Sequence, residues 1–150
     1  MRILVSTLVA WLCLSLAVLA DAPIISAPEA QAKLQRGEIV LLDIRSRKEW
    51  RETGVAKGAW PVSMHEGDFG KRINAILKEY RPEQIAVMCA VGGRSKHITD
   101  LLERKGITGV IDMSEGMMGN KRGPGWIARG MEVVPLNEAS AAYNKAAANW

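Results

Sequence analysis

Cysteine is scarce in this chain, with 2 residues among 150. A disulfide framework and a cysteine-built zinc site both require several thiols at short, patterned spacing, so the sequence excludes both. No cofactor and no metal site is predicted. Internal repeats are also lacking, which favours one module over a tandem of two.

Long runs of one charge are missing as well. The chain carries 20 basic and 16 acidic side chains, for a formal net charge of +4. Because the two signs are interspersed, we interpret them as a solvated surface with a mild attraction for anions. The sequence therefore predicts no nucleic-acid partner.

The one long apolar run lies at the start of the chain. Met1 and Arg2 precede an apolar stretch over residues 3–20, which ends in small residues before Asp21. This pattern predicts a secretory signal peptide over residues 1–20, cleaved after Ala20, and a periplasmic or secreted protein with no stable membrane span after cleavage. The alternative is an uncleaved anchor, since the run is just long enough to cross a bilayer.

Removal of that segment takes Cys13 with it and leaves Cys89 as the one cysteine. The remaining residues 21–150 are predicted to form a single domain, with a core over about 26–136 and a C-terminal helix over about 137–149. Apolar strands that alternate with short amphipathic helices predict an α/β fold with a small parallel β-sheet flanked by helices on both faces.

The individual elements follow from caps, periodicity and glycine stops. We predict helices over 27–36, 95–105, 126–129 and 137–149. Two further helices are predicted, one that starts at 46 and stops near 54 and one that starts at 69 and ends before 82. Strands are predicted over 39–44, 60–62, 85–88 and 110–112, and a long surface loop over 114–125.

The segment Cys89 to Arg94, here called the cysteine loop, places a thiol between a buried strand and a helix. Ligands bind open α/β sheets at the carboxyl ends of the strands. Consecutive backbone amides and a helix N-terminus favour an anion there, and Gly92 and Gly93 are expected to supply positive φ. Arg94 is expected to add a positive charge or an orienting hydrogen bond. This setting should favour the thiolate form of Cys89, the nucleophilic form.

The sequence resembles the rhodanese-like sulfurtransferases over most of residues 21–150. Four segments carry the resemblance in order: residues 42–46 with Glu49 and Trp50, residues 54–59, Cys89 with Arg94 and Ser95, and Gly116 with Trp126 and Gly130. The resemblance implies a rhodanese-like fold, with Cys89 as a catalytic residue that accepts a sulfane sulfur, forms a persulfide and passes the sulfur on. It implies a substrate-binding loop made of Ala90, Val91, Gly92, Gly93, Arg94 and Ser95.

The implied partners are a small sulfur-containing anion or a persulfide donor, and a thiol or dithiol protein acceptor. Four residues separate Cys89 from Arg94, the spacing of sulfurtransferases, whereas the related cysteine phosphatases and arsenate reductases use one more. The spacing therefore disfavours a phosphatase, which stays a third alternative.

Two loop residues depart from the familiar pattern. Ala90 and Val91 stand where well-known thiosulfate sulfurtransferases often carry basic or polar side chains, which weakens the attraction for the thiosulfate dianion. Lys121 and Arg122 would compensate if their loop folded over the site, but we interpret them as exposed charges. The departure also leaves open a non-catalytic sulfur carrier or partner-binding module.

Other chemistry-bearing residues have structural interpretations. Asp43 and Arg45, near the predicted site, are expected to form a structural ion pair or to hydrogen-bond nearby loops. His65 and His97 are interpreted as surface residues. Core packing is the role expected for the following methionines and tryptophans: Met113, Met117, Met118, Trp50, Trp60 and Trp126.

Overall fold

The protein is described by a computed structural model that covers residues 21–150. The predicted signal peptide lies outside these residues. Within them the chain forms β1 (Ile24–Ile25), α1 (Ala27–Gln35), β2 (Val40–Asp43), α2 (Arg47–Thr53), β3 (Val55–Ala56), β4 (Trp60–Pro61), α3 (Phe69–Glu79), β5 (Ile85–Met88), α4 (Gly93–Arg104), β6 (Ile111–Met113), α5 (Gly125–Ala128), β7 (Val133–Val134) and α6 (Leu136–Ala147).

Five of the strands form one parallel sheet in the order β1-β6-β5-β2-β4. β5 lies at its centre, with Leu42 of β2 opposite Val87 and Ile111 of β6 opposite Ala86. All five strands therefore present their carboxyl ends at one edge. The predicted parallel sheet is confirmed.

Helices cover both faces of this sheet, as predicted. Successive residues of a strand point to opposite faces, and Leu41 and Leu42 accordingly belong to two different buried clusters. One cluster includes α1 and Trp126, and the other includes α3, α4 and Tyr143. The sheet is thus the wall between two small hydrophobic cores.

Two helices begin as their sequences indicate. In α1 the Ser26 hydroxyl accepts from the Glu29 amide while the Glu29 carboxylate accepts from the Ser26 amide, and Ser46 with Glu49 repeats this arrangement at α2. Each pair satisfies amide groups that a helix start leaves without intrahelical partners.

Three strands were not predicted. β1, β3 and β7 have two residues each, too few to show an alternating pattern. β3 and β7 form a separate antiparallel pair. This pair fastens the segment after α5 to the turn that follows α2.

The prediction of a surface loop over 114–125 is wrong for its first third. Ser114, Glu115 and Met117 are at most 4% exposed. Met117 packs in the core beside α1, and Glu115 pairs with Arg129. Residues 114–125 are here called the glycine-rich loop. Its first four residues are buried, and the chain then returns to the surface.

α6 closes the sheet at β4. Its Tyr143 packs edge-on against Trp60 of β4, with 5.7 Å between the ring centroids. The ring of Trp150 also lies 5.7 Å from the Trp60 ring. The predicted C-terminal helix is confirmed within two residues at each end. Among residues 21–150, none of the helices has the length and apolarity needed to cross a bilayer.

Candidate functional site

The Cys89 thiol lies directly after the central strand β5 and is completely buried, at 0% exposure. Its side chain belongs to the cluster on the α3 and α4 face. The end of a central parallel strand is the expected place for a ligand site. The sequence therefore placed the thiol correctly, although it did not indicate that the sulfur would be enclosed.

Within residues 21–150, two groups form hydrogen bonds with the Cys89 sulfur. The Gly92 amide donates a hydrogen bond to Sγ at 3.1 Å, and the Ser95 hydroxyl lies 3.8 Å from it. α4 begins at Gly93, and its first intrahelical bond runs from the Lys96 amide to the Gly92 carbonyl. The amides of the first helical turn have no intrahelical acceptors, so they offer donors and a partial positive charge beside the sulfur.

The glycine-rich loop donates hydrogen bonds to the backbone carbonyls of the cysteine loop. The Met117 and Met118 amides donate to the carbonyls of Cys89 and Ala90 at 2.9 and 2.8 Å. The Asn120 side-chain amide donates to the Val91 carbonyl at 2.8 Å. In a trans peptide the N–H points opposite to the preceding C=O. The amides of the next three residues are thereby turned away from the glycine-rich loop, and the Gly92 amide is the one that reaches the sulfur.

Gly92 is required by its backbone conformation, with φ of +85°. A Cβ there would lie 2.1 Å from the Ser114 carbonyl oxygen. Gly93 differs from the expectation, since it has helical φ and open space around it. It is already the first residue of α4, which explains why the helix starts two residues earlier than predicted.

Arg94 does not offer a free positive charge. Its guanidinium donates to both carboxylate oxygens of Glu49, at 3.0 and 2.5 Å, and lies 3.2 Å from the His65 ring. Hydrogen bonds from Arg94 hold the pKa of Glu49 at about 2. The charge expected at the loop is therefore offset by a carboxylate 45 residues earlier in the chain.

Apolar side chains project beside the loop. Val91 and Met118 are each 54% exposed, so the packing role expected for Met118 is wrong, while Met113 and Met117 are buried as predicted. Lys121 and Arg122 are exposed, in agreement with their interpretation. The surface beside Cys89 consequently combines apolar side chains with a neutralised arginine.

Asp43 and Arg45 form the ion pair that the sequence predicted. Both side chains are buried, and the Arg45 guanidinium donates to the two Asp43 oxygens at 2.7 to 3.1 Å. Arg45 also donates to the Thr53 hydroxyl and the Gly54 carbonyl, at 2.8 Å each. The pair fastens the end of β2 to the end of α2, the helix that carries Glu49.

The remaining candidates lie where the sequence placed them. His65 and His97 are exposed, and the three tryptophans named above are at most 9% exposed. Residues 21–150 hold no group of three or more histidine, cysteine or acidic side chains arranged to bind a metal.

Sequence reasoning did not identify two residues of the site. Glu49 was recognised as a helix cap and as part of the first segment of the family resemblance, but its pairing with Arg94 comes from the fold. Asn120 had no sequence signal. Its carboxamide donates to the Val91 and Ser114 carbonyls at 2.8 and 2.6 Å, which joins the two loops.

The chain is similar to known proteins over most of its length. The model of the family described as the Rhodanese-like domain matches residues 26–122. A rhodanese-like domain from Anabaena sp. is 23% identical with a TM-score of 0.58, and the match covers 77% of this chain and 81% of that one. A polysulfide-sulfur transferase homodimer from Wolinella succinogenes is 22% identical with a TM-score of 0.57, covering 77% and 80%.

Curated relatives are longer proteins. Two tRNA uridine(34) hydroxylases, from Chlamydia felis and Chlamydia muridarum, are 27% and 29% identical over 125 residues. The match covers 77% of this chain but 38% of each relative. The chain thus spans little more than a third of the length of these relatives.

Proposed function

The chain belongs to the rhodanese-like domain family, and we propose that it is a sulfurtransferase in which Cys89 carries a persulfide. One observation carries the proposal. The Cys89 sulfur accepts a hydrogen bond from the Gly92 amide at 3.1 Å and lies beside the N-terminus of α4. Backbone donors at that place stabilise a negative charge on sulfur.

The chemistry takes two displacement steps. The Cys89 thiolate attacks the outer sulfur of a donor R–S–S⁻, the donor's S–S bond breaks, and R–S⁻ leaves with the electron pair of that bond. An acceptor thiolate then attacks the outer sulfur of the Cys89 persulfide and releases the Cys89 thiolate. The backbone donors of the loop hold the charged sulfur in both steps, which is worth on the order of a few kcal/mol.

A persulfide is a better donor for this site than thiosulfate. The Arg94 guanidinium is paired with Glu49, and Val91 places an exposed apolar side chain where a cation would attract a dianion. A persulfide presents one charge and an organic group, which suits a neutralised and partly apolar surface. We propose an organic or protein persulfide as donor and a thiol or dithiol protein as acceptor.

We also propose that the protein is exported from the cytoplasm. The basic start and apolar stretch of residues 1–20 support a signal peptide cleaved after Ala20, with the protein in the periplasm or outside the cell. The mass of the protein recovered from a secretion-competent host measures whether those residues are removed. Recovery of the full-length chain in the membrane would favour the anchor instead.

The test of sulfur transfer is intact mass after incubation with glutathione persulfide or with thiosulfate. We expect the wild-type protein to gain one sulfur atom, more rapidly from the persulfide, and Cys89→Ser to gain none. No gain on wild type, or an equal gain on Cys89→Ser, would exclude Cys89 as the carrier. Release of phosphate from an aryl phosphate, dependent on Cys89, would support the phosphatase alternative.

A sulfur carrier is the second candidate, and the exposed apolar side chains of Val91 and Met118 favour it, because such side chains suit contact with a partner protein. The number of transfer cycles per protein molecule distinguishes an enzyme from a carrier. Repeated cycles with cyanide or a small dithiol indicate an enzyme, whereas a single loading that empties only onto a protein thiol indicates a carrier. No nucleic-acid partner is proposed.

A further inference from the structure

His65 is a titratable residue beside the site for which the proposed chemistry gives no role. Its side chain is exposed, and its Nε2 lies 3.2 Å from Nη1 of Arg94. A guanidinium has donors and no acceptor, so a hydrogen bond at this contact requires Nε2 to accept. The contact therefore corresponds to a neutral His65 ring with no proton on Nε2.

The backbone brings His65 to the same edge of the sheet as the thiol. The Met64 amide donates to the Ile44 carbonyl at 3.2 Å, and the Ile44 amide donates to the Met88 carbonyl at 3.0 Å. The segment with His65 thus runs beside the end of β2, which runs beside the end of β5 and Cys89. Neighbouring strands are about 4.8 Å apart, so His65 and Cys89 are separated by on the order of 10 Å. This separation is comparable to the Debye length at about 0.1 M salt, so a charge on His65 acts on ligands of Cys89.

The charged groups around His65 already form ion pairs. They are Arg94 of α4 with Glu49 of α2, and Glu66 with Arg72 of α3 and Arg47 of α2. Arginine stays protonated from pH 5 to pH 8, and hydrogen bonds from Arg94 hold the pKa of Glu49 at about 2. Histidine is the side chain that ordinarily changes its charge in this pH range. We therefore expect His65 to control the net charge of the group that it forms with Arg94 and Glu49.

Protonation of His65 changes this group in two ways. Nε2 can no longer accept from Arg94, and a positive charge is added beside an Arg94–Glu49 pair whose own charges cancel. The surroundings of Cys89 then carry one additional positive charge, which attracts anions.

We propose that His65 is a specificity-determining residue that sets how strongly the Cys89 site attracts anionic donors. With neutral His65 the site favours a donor of low charge, such as an organic persulfide. With protonated His65 it also attracts a dianion, such as thiosulfate. The inference rests on the proposed function, since it concerns the donor that Cys89 uses.

The test compares two alkylating reagents and needs no sulfur transfer. Iodoacetate is an anion, iodoacetamide is neutral, and both react with the Cys89 thiolate. The ratio of their rates therefore cancels the titration of the thiol and depends on the charge around the sulfur. Both rates are followed from pH 5 to pH 8 by the mass of the peptide that contains Cys89, at reagent concentrations to which the rates are proportional. In the wild-type protein we expect the ratio of iodoacetate to iodoacetamide to rise about threefold from pH 8 to pH 5, and this rise to disappear in about 1 M salt.

Two substitutions fix the charge at position 65. His65→Gln is neutral throughout, so its ratio should stay at the wild-type value for pH 8. His65→Lys is positive throughout, so its ratio should stay near the wild-type value for pH 5. His97→Gln is the matched control, because His97 is the other histidine of the chain and is exposed on α4, three residues after Arg94. This control should keep the wild-type rise, and thermal unfolding verifies that each variant is folded.

Three outcomes would overturn the proposal: a wild-type ratio that does not change with pH, a rise that persists in His65→Gln, or a rise that is lost in His97→Gln. The rate of sulfur gain from thiosulfate, divided by the iodoacetamide rate, should increase more steeply toward pH 5 than the alkylation ratio, because thiosulfate carries two charges. If the alkylation ratio changes as expected while Cys89 gains no sulfur from thiosulfate or a persulfide, the proposed function is wrong and the effect of the His65 charge stands.

Discussion

Asp43 and Asp112 are buried carboxylates in the same sheet, and they differ in how completely they are hydrogen-bonded. Asp43 is 0% exposed and accepts three hydrogen bonds from the Arg45 side chain. Asp112 is 3% exposed, and one of its oxygens accepts none. A fully paired carboxylate holds neighbouring elements in place, whereas an incompletely paired one lowers stability and keeps the capacity to take up a proton. Burial alone therefore does not show whether a carboxylate is fully hydrogen-bonded.

Loss of the Asp43 partner should produce the largest effect. Arg45→Ala leaves a buried carboxylate without its cation, and we expect it to lower the free energy of unfolding by about 3–5 kcal/mol, measured by urea denaturation. Arg45→Lys keeps the charge but loses the paired geometry, so it should fall between that variant and wild type. A loss below about 1 kcal/mol for Arg45→Ala would show that the pair is dispensable.

Glu49 is an intermediate case, since it is partly exposed and paired. Glu49→Gln is expected to cost about 1 kcal/mol and to speed loading from thiosulfate, because it frees the Arg94 charge. The pKa of Glu49 is lowered from 4.5 to about 2. The stability that its ionised carboxylate contributes to the fold is therefore present above pH 4.5 and is lost as the pH falls toward 2. The difference in stability between wild type and Glu49→Gln should narrow over that range. A stability difference that does not change with pH would show that Glu49 stabilises the protein through packing and not through its charge.

Asp112→Asn should have the smallest effect on stability and the opposite sign. Since burial raises the pKa of Asp112, folding favours its protonated form, and stability is lost as the pH rises above about 4. The neutral asparagine avoids that loss. At pH 7 the variant should be up to about 1 kcal/mol more stable than wild type, and the two should converge near pH 4, as measured by denaturation at both values. A destabilised variant at pH 7 would place Asp112 with Asp43 among the structural acids.

The sequence predicted the features that depend on neighbouring residues. Ser26 with Glu29 and Ser46 with Glu49 indicated two helix starts, because a capping box involves residues three apart. The apolar run over 85–88 indicated the central strand, and Cys89 after it indicated the place of the thiol. Short-range spacing was therefore sufficient to predict the architecture and the position of the Cys89 thiol.

The missing features depend on contacts between distant residues. Glu49 meets Arg94 only because α2 and α4 are brought together at one edge of the sheet, and Asn120 reaches Val91 across 29 residues. Asp112 was correctly placed in a strand, but the lack of a partner for its Oδ1 depends on what α4 presents to it. A single sequence has no local pattern for such relations.

The attachment of Asn120 to both loops has a consequence for the time course of any reaction at Cys89. Its hydrogen bond to the Val91 carbonyl, with those from the Met117 and Met118 amides, joins the cysteine loop to the glycine-rich loop. The two loops must therefore move together before a bulky reagent can reach the enclosed sulfur. Such an opening is a first-order step of the protein itself. At high reagent concentration the observed rate should therefore reach a plateau set by the opening step, and Asn120→Ala should raise that plateau.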